Sequence, residues 1–253
     1  MAFSAFQTAM VKPAAACYPP GPAGVVIYAI GDIHGRSDCL HALHRTIDRD
    51  KSRLTPSLTT VEIYLGDFVD RGPDSHGVLE MIIARARKAA VVCLRGNHEI
   101  MFEAYLAGKL SFDLWKSLGG LATLFSYKVS SDLLLHGGPA LLAAANSAVP
   151  RRHREFLTKT RPQVKLENYC FVHAGIRPNV PLDRQSLQDL TTIRNDFLDH
   201  EGGFGFIVVH GHSPHIEAQF KFNRINLDTG AYATNRLSAI RIDENGPALL
   251  AGR

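Results

Sequence analysis

Cysteine is scarce in this 253-residue chain: Cys17, Cys39, Cys93 and Cys170 stand far apart, with no Cys-x-x-Cys pair. That spacing speaks against a zinc finger and a disulfide framework, and a reducing compartment is expected. Cys93 and Cys170 lie in apolar runs and read as small buried hydrophobes. Long hydrophobic runs are missing too. No stretch reaches the roughly 18 apolar residues needed to cross a bilayer, and no charged segment precedes an apolar one near Met1. Neither a membrane span nor a signal peptide is expected, which makes the cytoplasm the expected location. A large excess of one charge is lacking as well. The formal net charge of +4 suits an anionic substrate but is too spread out to mark a nucleic-acid binder. The densest basic cluster, Arg151, Arg152, His153 and Arg154 with Lys159 and Arg161, reads as a solvated helix face.

What is present is the composition of an ordinary globular protein, 45% hydrophobic and 21% charged. A chain this long buries a core without a structural metal, so any metal it binds would serve chemistry. Residues 1–24 read as a flexible N-terminal tail ending in a Pro/Gly cluster, Tyr18 to Gly24, and 25–253 as one domain. Val25 to Ile30, Val61 to Leu65 and Ala90 to Leu94 read as buried strands. A helix follows each: one carrying Leu40, Leu43, His44 and Ile47, one from an N-cap at Asp74 to Lys88, and one ending near Ala107. Residues 108–162 have helical spacing and few potential ligands, and read as a helical insert or cap with a structural or substrate-selecting job. Strands resume at Tyr169 to Val172 and Phe206 to Val209, with sheet again at Ile225 to Leu227 and Leu237 to Ile242. Alternating strands and helices predict an α/β layered fold.

Each strand runs into a loop holding Gly with Asp, Asn or His. Asp32 and His34 follow the first, two apart and so on one side of an extended chain; Asp67 follows the second, Asn97 the third, His173 the fourth and His212 the fifth. Ligands bind beyond the carboxyl ends of strands in such sheets. Mixed oxygen and imidazole donors suit Mn, Fe or Zn better than Mg or Ca. Six donors exceed the need of one catalytic ion, and two ions sharing a carboxylate is the economical solution. Such a pair holds a hydroxide at neutral pH and clamps a phosphoryl group. A single strand-end His is more often merely hydrogen-bonded; five such loops in order are not coincidence.

Gly31-Asp32-Ile33-His34-Gly35, Gly66-Asp67-Phe68-Val69-Asp70-Arg71-Gly72, Gly96-Asn97-His98-Glu99, His173-Ala174-Gly175 and Gly211-His212 together resemble the signature of the phosphoprotein phosphatase family, within the calcineurin-like metallophosphoesterases. The resemblance spans about Ile30 to Gly230 and is nearest to the small bacterial and phage serine/threonine phosphatases, because the insert is short. It implies two mixed β-sheets packed face to face with helices outside. It implies that Asp32, His34 and a bridging Asp67 hold one metal, and Asp67, Asn97, His173 and His212 the other, with Mn²⁺ the expected ion. His98 would be the general acid, Asp70 would orient it, and Arg71 and Asn97 would meet the phosphate. Arg194, in Thr192-Ile193-Arg194, resembles the second phosphate-binding arginine, with Arg177 and Arg184 as competitors. Arg95 is expected in a structural ion pair, His210 and His215 behind the ligands or on the surface, and Asp228 as support for a ligand histidine. The aromatic-containing loop of eukaryotic members is absent, its region being occupied by Asp228-Thr229-Gly230-Ala231-Tyr232, so inhibitor and regulatory-subunit binding are not carried over.

The resemblance implies a phosphorylated protein or peptide as substrate, with neither nucleic acid nor membrane as partner. Diadenosine tetraphosphate hydrolysis on the same metal core is the alternative. That group typically has Ala in place of Asp70 and GNHD where this chain has Glu99, and these two residues place the protein phosphatase first. A metal-dependent nuclease or cyclic-nucleotide phosphodiesterase fits less well, usually lacking the Arg71 equivalent. A non-catalytic phosphoprotein-binding scaffold usually loses a ligand or the acid, and none is lost here.

Overall fold

The structure, a computed structural model, describes residues 18–250. Among these residues ten strands form two five-stranded sheets. In chain order they are β1 (Val25–Ile30), β2 (Thr59–Tyr64), β3 (Ala90–Cys93), β4 (Gln163–Leu166), β5 (Tyr169–Val172), β6 (Ile207–His210), β7 (Gln219–Lys221), β8 (Arg224–Asn226), β9 (Ala239–Asp243) and β10 (Gly246–Leu250). The first sheet has the order β10-β9-β1-β2-β3 and the second β4-β5-β6-β8-β7. Both are mixed. β1, β2 and β3 run parallel, as do β5, β6 and β8, and the outer strands pair antiparallel. All six parallel strands therefore end in loops, and those loops carry the polar residues.

The alternation of strand side chains builds the layers. From β1, Ile27 and Ala29 enter an apolar layer with Tyr169, Phe171, Val209 and Ile225 of the second sheet. Val26, Tyr28 and Ile30 turn the other way, into a core under the helices. Those helices include α1 (Ser37–Lys51), whose Leu40, Leu43, His44 and Ile47 form the expected buried stripe. α2 (Ser75–Ala86) is capped by Asp74, which accepts the Gly77 N–H at 2.8 Å. α3 (Asn97–Leu106) follows β3. Five helices then occupy the middle of the chain: α4 (Phe112–Ser117), α5 (Gly120–Ser126), α6 (Ser131–His136), α7 (Gly138–Ala148) and α8 (Arg151–Thr158). They extend the same core with Trp115, Leu124, Leu141 and Leu157. α9 (Leu187–Thr192) and α10 (Asn195–Leu198) bury Leu190 and Phe197 outside the second sheet, and α11 (Ala231–Thr234) precedes β9.

Sequence patterning overlooked β4, β7 and β10, which are edge strands. An edge strand buries little on its outer side, so β4 and β7 carry no apolar run, and β10 tolerates Pro247 because its outward backbone needs no partner. Residues 18–24 differ from the expected tail. Gly21 N–H donates to Asp243 at 2.8 Å, Tyr169 hydroxyl to the Pro19 carbonyl, and Tyr18 hydroxyl to the Lys221 carbonyl. They close the sandwich where β1 begins; the remainder of that proposed tail, 1–17, lies outside the described residues. The basic cluster is only partly a solvated face: Arg151 and Arg152 are exposed, but His153 is buried. Among the described residues no helix is long and apolar enough to cross a membrane.

One buried charge ties sheet to helices. Glu62 of β2 has no exposed surface and is bound by Lys51 Nζ at 2.6 Å and Arg85 Nη2 at 2.7 Å, with Tyr64 hydroxyl at 2.9 Å. Burial alone would raise its carboxyl; the Arg85 and Lys51 cations outweigh it and hold the group at about 2. A carboxyl lowered on folding stabilises the protein above its unfolded pKa, near 4.5, and that stability drains away as pH falls towards 2. Urea unfolding at pH 7 and pH 3 tests this. Glu62→Gln should be less stable than wild type by on the order of 2–3 kcal/mol at pH 7, with the gap narrowing at pH 3. Parallel pH curves for the two proteins would show that Glu62 is not the linked group.

Candidate metal centre and active site

The loops after β1, β2, β3, β5 and β6 meet at one edge of the sandwich. Asp67, after β2, lies at the middle of the cluster and is 2% exposed. On one side its Oδ2 lies 3.5 Å from His34 Nε2; on the other its Oδ1 lies 3.4 Å from His173 Nε2. Asn97 Oδ1 is 3.2 Å from the same His173 nitrogen, and the rings of His173 and His212 meet edge to face at 5.1 Å. Asp32 accepts the His212 backbone N–H at 2.9 Å. The six residues expected as metal ligands are thus gathered around one carboxylate.

The backbone reaches this arrangement through conformations that side chains disfavour. His34, Asp67, Asp70, Arg71 and His212 all have positive φ, between 44° and 71°. Asp32 and His34 therefore do not converge as neighbours on an extended strand; a turn at His34 brings its ring round to Asp67. The turns are held from outside. Asp67 carbonyl accepts N–H groups from Ile33 and His34 at 3.1 and 2.8 Å, and Gly35 donates to Phe68 at 2.9 Å. Gly66, at φ 108°, has to be glycine: a Cβ there would lie 2.9 Å from His173 Nδ1 and 2.7 Å from Gly96 N.

Glu99 does the most to hold the loops together. Its buried carboxylate accepts backbone N–H groups from Asp67 (2.8 Å), Phe68 (2.7 Å), Val69 (3.4 Å) and Gly96 (2.9 Å). Burial and the nearby Asp67 charge raise its carboxyl to about 7. Facing backbone rather than open space, it is a positioning residue.

The donor set fits divalent ions on several counts. Among the described residues, Asp32 Oδ1 and His34 Nε2 are buried without a hydrogen-bond partner. His34 and His173 each bond a backbone carbonyl through Nδ1, Val69 and Leu65 respectively at 2.9 Å, so each Nε2 is left to face the cluster. Burial pushes His34 and His212 down to about 3, keeping both unprotonated as ligands must be. Burial and the charge of Asp228 push Asp32 well above the carboxylate range. Burial opposes ionisation of Asp67 too, but His173 and His98 outweigh it and hold that carboxyl well down. His173 rises to about 10, its burial outweighed by Asp67. Carboxylates this crowded and this buried call for cations.

Beside the cluster stands His98. Its Nδ1 lies 2.8 Å from Asp70 Oδ2 and its Nε2 4.0 Å from Asp67. Burial disfavours the imidazolium, but Asp67 and Asp70 together raise its pKa. The surroundings of Asp70 come from the insert: Trp115 Nε1 donates to it at 2.8 Å and Thr123 hydroxyl at 2.6 Å, while its own N–H reaches Ser75 and Thr123 hydroxyls. Arg71 is anchored by its N–H to the Gly119 carbonyl and points Nη2 at His98 Nε2, 3.1 Å away. Sequence reasoning missed Trp115 and Thr123 in this role, although Trp115 is the chain's single tryptophan.

The arginine competition divides clearly. Arg177 is taken up by Asp189 and Asp196 at 2.6 and 2.8 Å, away from the cluster. Arg184 lies on a short surface 3₁₀ turn, Leu182–Arg184. Arg194 is exposed at the start of α10, and its charge bears on His212. Arg95 pairs with Glu103 at 3.1 Å. His210 is buried, with Nδ1 on the Gly211 carbonyl, and His215 is exposed. Asp228 departs from expectation: its carboxylate accepts the Gly230 N–H at 2.9 Å and bonds no histidine among the described residues. Tyr232 was unassigned. Its ring meets His34 edge-on at 5.4 Å and lies under the Arg71 guanidinium at 4.9 Å.

Two substitutions test this geometry. Glu99→Gln replaces an acceptor oxygen with a donor that repels the loop N–H groups; Mn²⁺ affinity, followed by calorimetric titration, should fall by about 10–100-fold. Trp115→Phe removes one hydrogen bond to Asp70 while keeping the packing. It should lower kcat by about tenfold with KM little changed; an unchanged kcat would leave Trp115 a packing residue only.

The family description "Calcineurin-like phosphoesterase" matches residues 25–247. Two bacterial proteins named bis(5'-nucleosyl)-tetraphosphatase PrpE (asymmetrical) align over most of their own length. That of Oceanobacillus iheyensis is 24% identical over 246 residues, covering 88% of this chain and 91% of its own. That of Bacillus subtilis is 29% identical over 236 residues, covering 85% and 90%. A crystal structure described as a candidate diadenosine tetraphosphatase superposes with a TM-score of 0.63 at 20% identity, over 93% of this chain and 97% of that one, a likeness of fold. A match across nearly the whole sandwich, with the clustered donors inside it, makes this chain a member of the calcineurin-like phosphoesterases, and a metal-dependent hydrolase.

Proposed function

We propose that this phosphoesterase hydrolyses dinucleoside tetraphosphates, with phosphorylated serine or threonine as a second substrate class. The observation that carries the first reading is the platform made by Tyr232 and Arg71 at the rim of the donor cluster. Tyr232 is 38% exposed, so a nucleobase has an aromatic surface to stack on while Arg71 meets the phosphate chain beside it. The PrpE proteins, aligned over more than four-fifths of this chain, are named for that substrate class. The order of the two readings is thereby reversed from the sequence-based one. Glu99, one of the two residues that had favoured a protein phosphatase, is occupied by the loop backbone.

Asp32, His34 and Asp67 would hold one divalent ion, and Asp67, Asn97, His173 and His212 a second; Mn²⁺ suits these donors, as do Fe and Zn. Bound there, the ions supply a water activated at neutral pH and offset the charge of the phosphate. The protein's own residues do the rest. Arg71 and Arg194 grip phosphate oxygens from two sides, arginine offering a planar two-pronged contact, and Asn97 contributes its amide. His98 holds a proton at Nε2 for the departing oxygen, with Asp70 accepting from Nδ1 and favouring the charged ring. In the arrangement seen, Arg71 donates to that Nε2; a phosphate drawing Arg71 to itself frees the nitrogen to carry the proton.

The second reading rests on Asp70. A nucleotide leaves as a weakly basic phosphate oxygen, whereas a serine leaves as an alkoxide that needs a proton. The His98–Asp70 pair is worth about 10²–10⁴-fold for such an ester.

Phosphate-ester and anhydride turnover by the Mn²⁺-loaded protein, measured side by side on diadenosine tetraphosphate and a phosphoserine peptide, decides between them. A higher kcat/KM on the dinucleotide is expected, with AMP and ATP as products. Tyr232→Ala should raise its KM by about tenfold, a stacking interaction being worth roughly 1–3 kcal/mol, and leave the peptide nearly unaffected. Faster peptide turnover, insensitive to Tyr232→Ala, would restore the protein phosphatase to first place.

A further inference from the structure

On the helical side of the first sheet, outside the donor cluster, α2 and α8 bring together His76, Glu80 and His153. One donor atom from each lies within 4.8 Å of the other two. His76 and Glu80 are four residues apart, hence on one face of α2, with Nε2 and Oε1 separated by 3.8 Å. His153 comes from α8, 73 residues along the chain from Glu80, and its Nε2 is 2.8 Å from the same Oε1. The rings of His76 and His153 are 5.2 Å apart. The arrangement is ordered from behind: Tyr127 hydroxyl lies 2.6 Å from His153 Nδ1, which aims the other ring nitrogen at Glu80.

We propose that His76, Glu80 and His153 form a third metal site, independent of the dinuclear centre, that takes a borderline transition ion, with Zn²⁺ the best match. Two imidazoles and one carboxylate are three ligands of a tetrahedral zinc site, with water as the fourth. His153 is buried, while the side chains of His76 and Glu80 are 38% and 35% exposed. An ion can therefore enter from solvent and keep its water. Tyr127 can accept an N–H from His153 Nδ1, the tautomer that frees Nε2 to ligate. Arg152 also binds Glu80, at 3.0 Å through Nε; it is exposed, and a surface pair of this kind yields to a divalent ion at small cost. The ion would join α2 to α8. Since α2 opens at Ser75, whose hydroxyl accepts the Asp70 N–H, it would brace the insert against the acid-bearing loop.

Zinc stoichiometry of the whole protein tests the site without relying on turnover. Saturated with Zn²⁺ and freed of excess by gel filtration, wild type should retain about three ions per chain by elemental analysis, and His76→Ala about two. Filling the third site should raise the thermal unfolding midpoint by about 5 °C at a hundredfold excess over its dissociation constant, a gain absent from the variant. His76→Ala with Mn²⁺ alone should turn over like wild type. Should it not fold, Glu80→Gln removes the charge with its shape kept and must show the same loss of one ion. Two ions in wild type, or three in either variant, would overturn the proposal.

Discussion

Asp67 carries a negative charge where almost no water reaches it, and the catalytic edge is arranged around that fact. An isolated carboxylate there would cost several kcal/mol. Imidazoles approach both its oxygens, from His34 and from His173, which come from different sheets. The same residue's carbonyl sets the turn after β1, and its N–H is taken by Glu99. Side-chain electrostatics and loop geometry thus meet in one residue. A carboxylate flanked by histidines on both oxygens is a place for paired cations, and the left-handed backbone at five site residues is the conformational cost of building it.

The helical insert takes part in this arrangement. Trp115 and Thr123 fill both oxygens of Asp70, and Gly119 fixes the backbone of Arg71. A carboxylate paired with an imidazole has to be immobile, and two buried donors hold this one in place. The insert therefore reaches the donor cluster through Asp70, the partner of His98, and α2 and α8 link it back to the same loop from the outside.

The buried donors and the exposed groups beside them come from different parts of the fold. The clustered donors sit in loops just beyond strand ends, held there by Glu99 and by the Asp67 carbonyl. The exposed groups beside the cluster are Arg71, Arg194 and Tyr232. Tyr232 reaches Arg71 from α11, more than 150 residues along the chain, a juxtaposition that no motif spells out.

The sequence by itself determined the central strands, the order of the loops and all six clustered donors. Buried parallel strands need uninterrupted apolar runs, and a turn packed against a charged centre needs glycine beside its ligands. These are local demands, visible along the chain. It did not show β4, β7 and β10 at the sheet edges, nor that residues 18–24 pack onto the sandwich. It misplaced Asp228, and it could not tell that Glu99 spends its carboxylate on four backbone N–H groups. Only the tertiary structure decided which arginine lies near His212, what holds Asp70, and that Glu62 is buried among Lys51 and Arg85. Each of these depends on distances between residues remote in sequence, and the energy of a charge or hydrogen bond follows those distances and the exclusion of water, neither of which is carried by residue order.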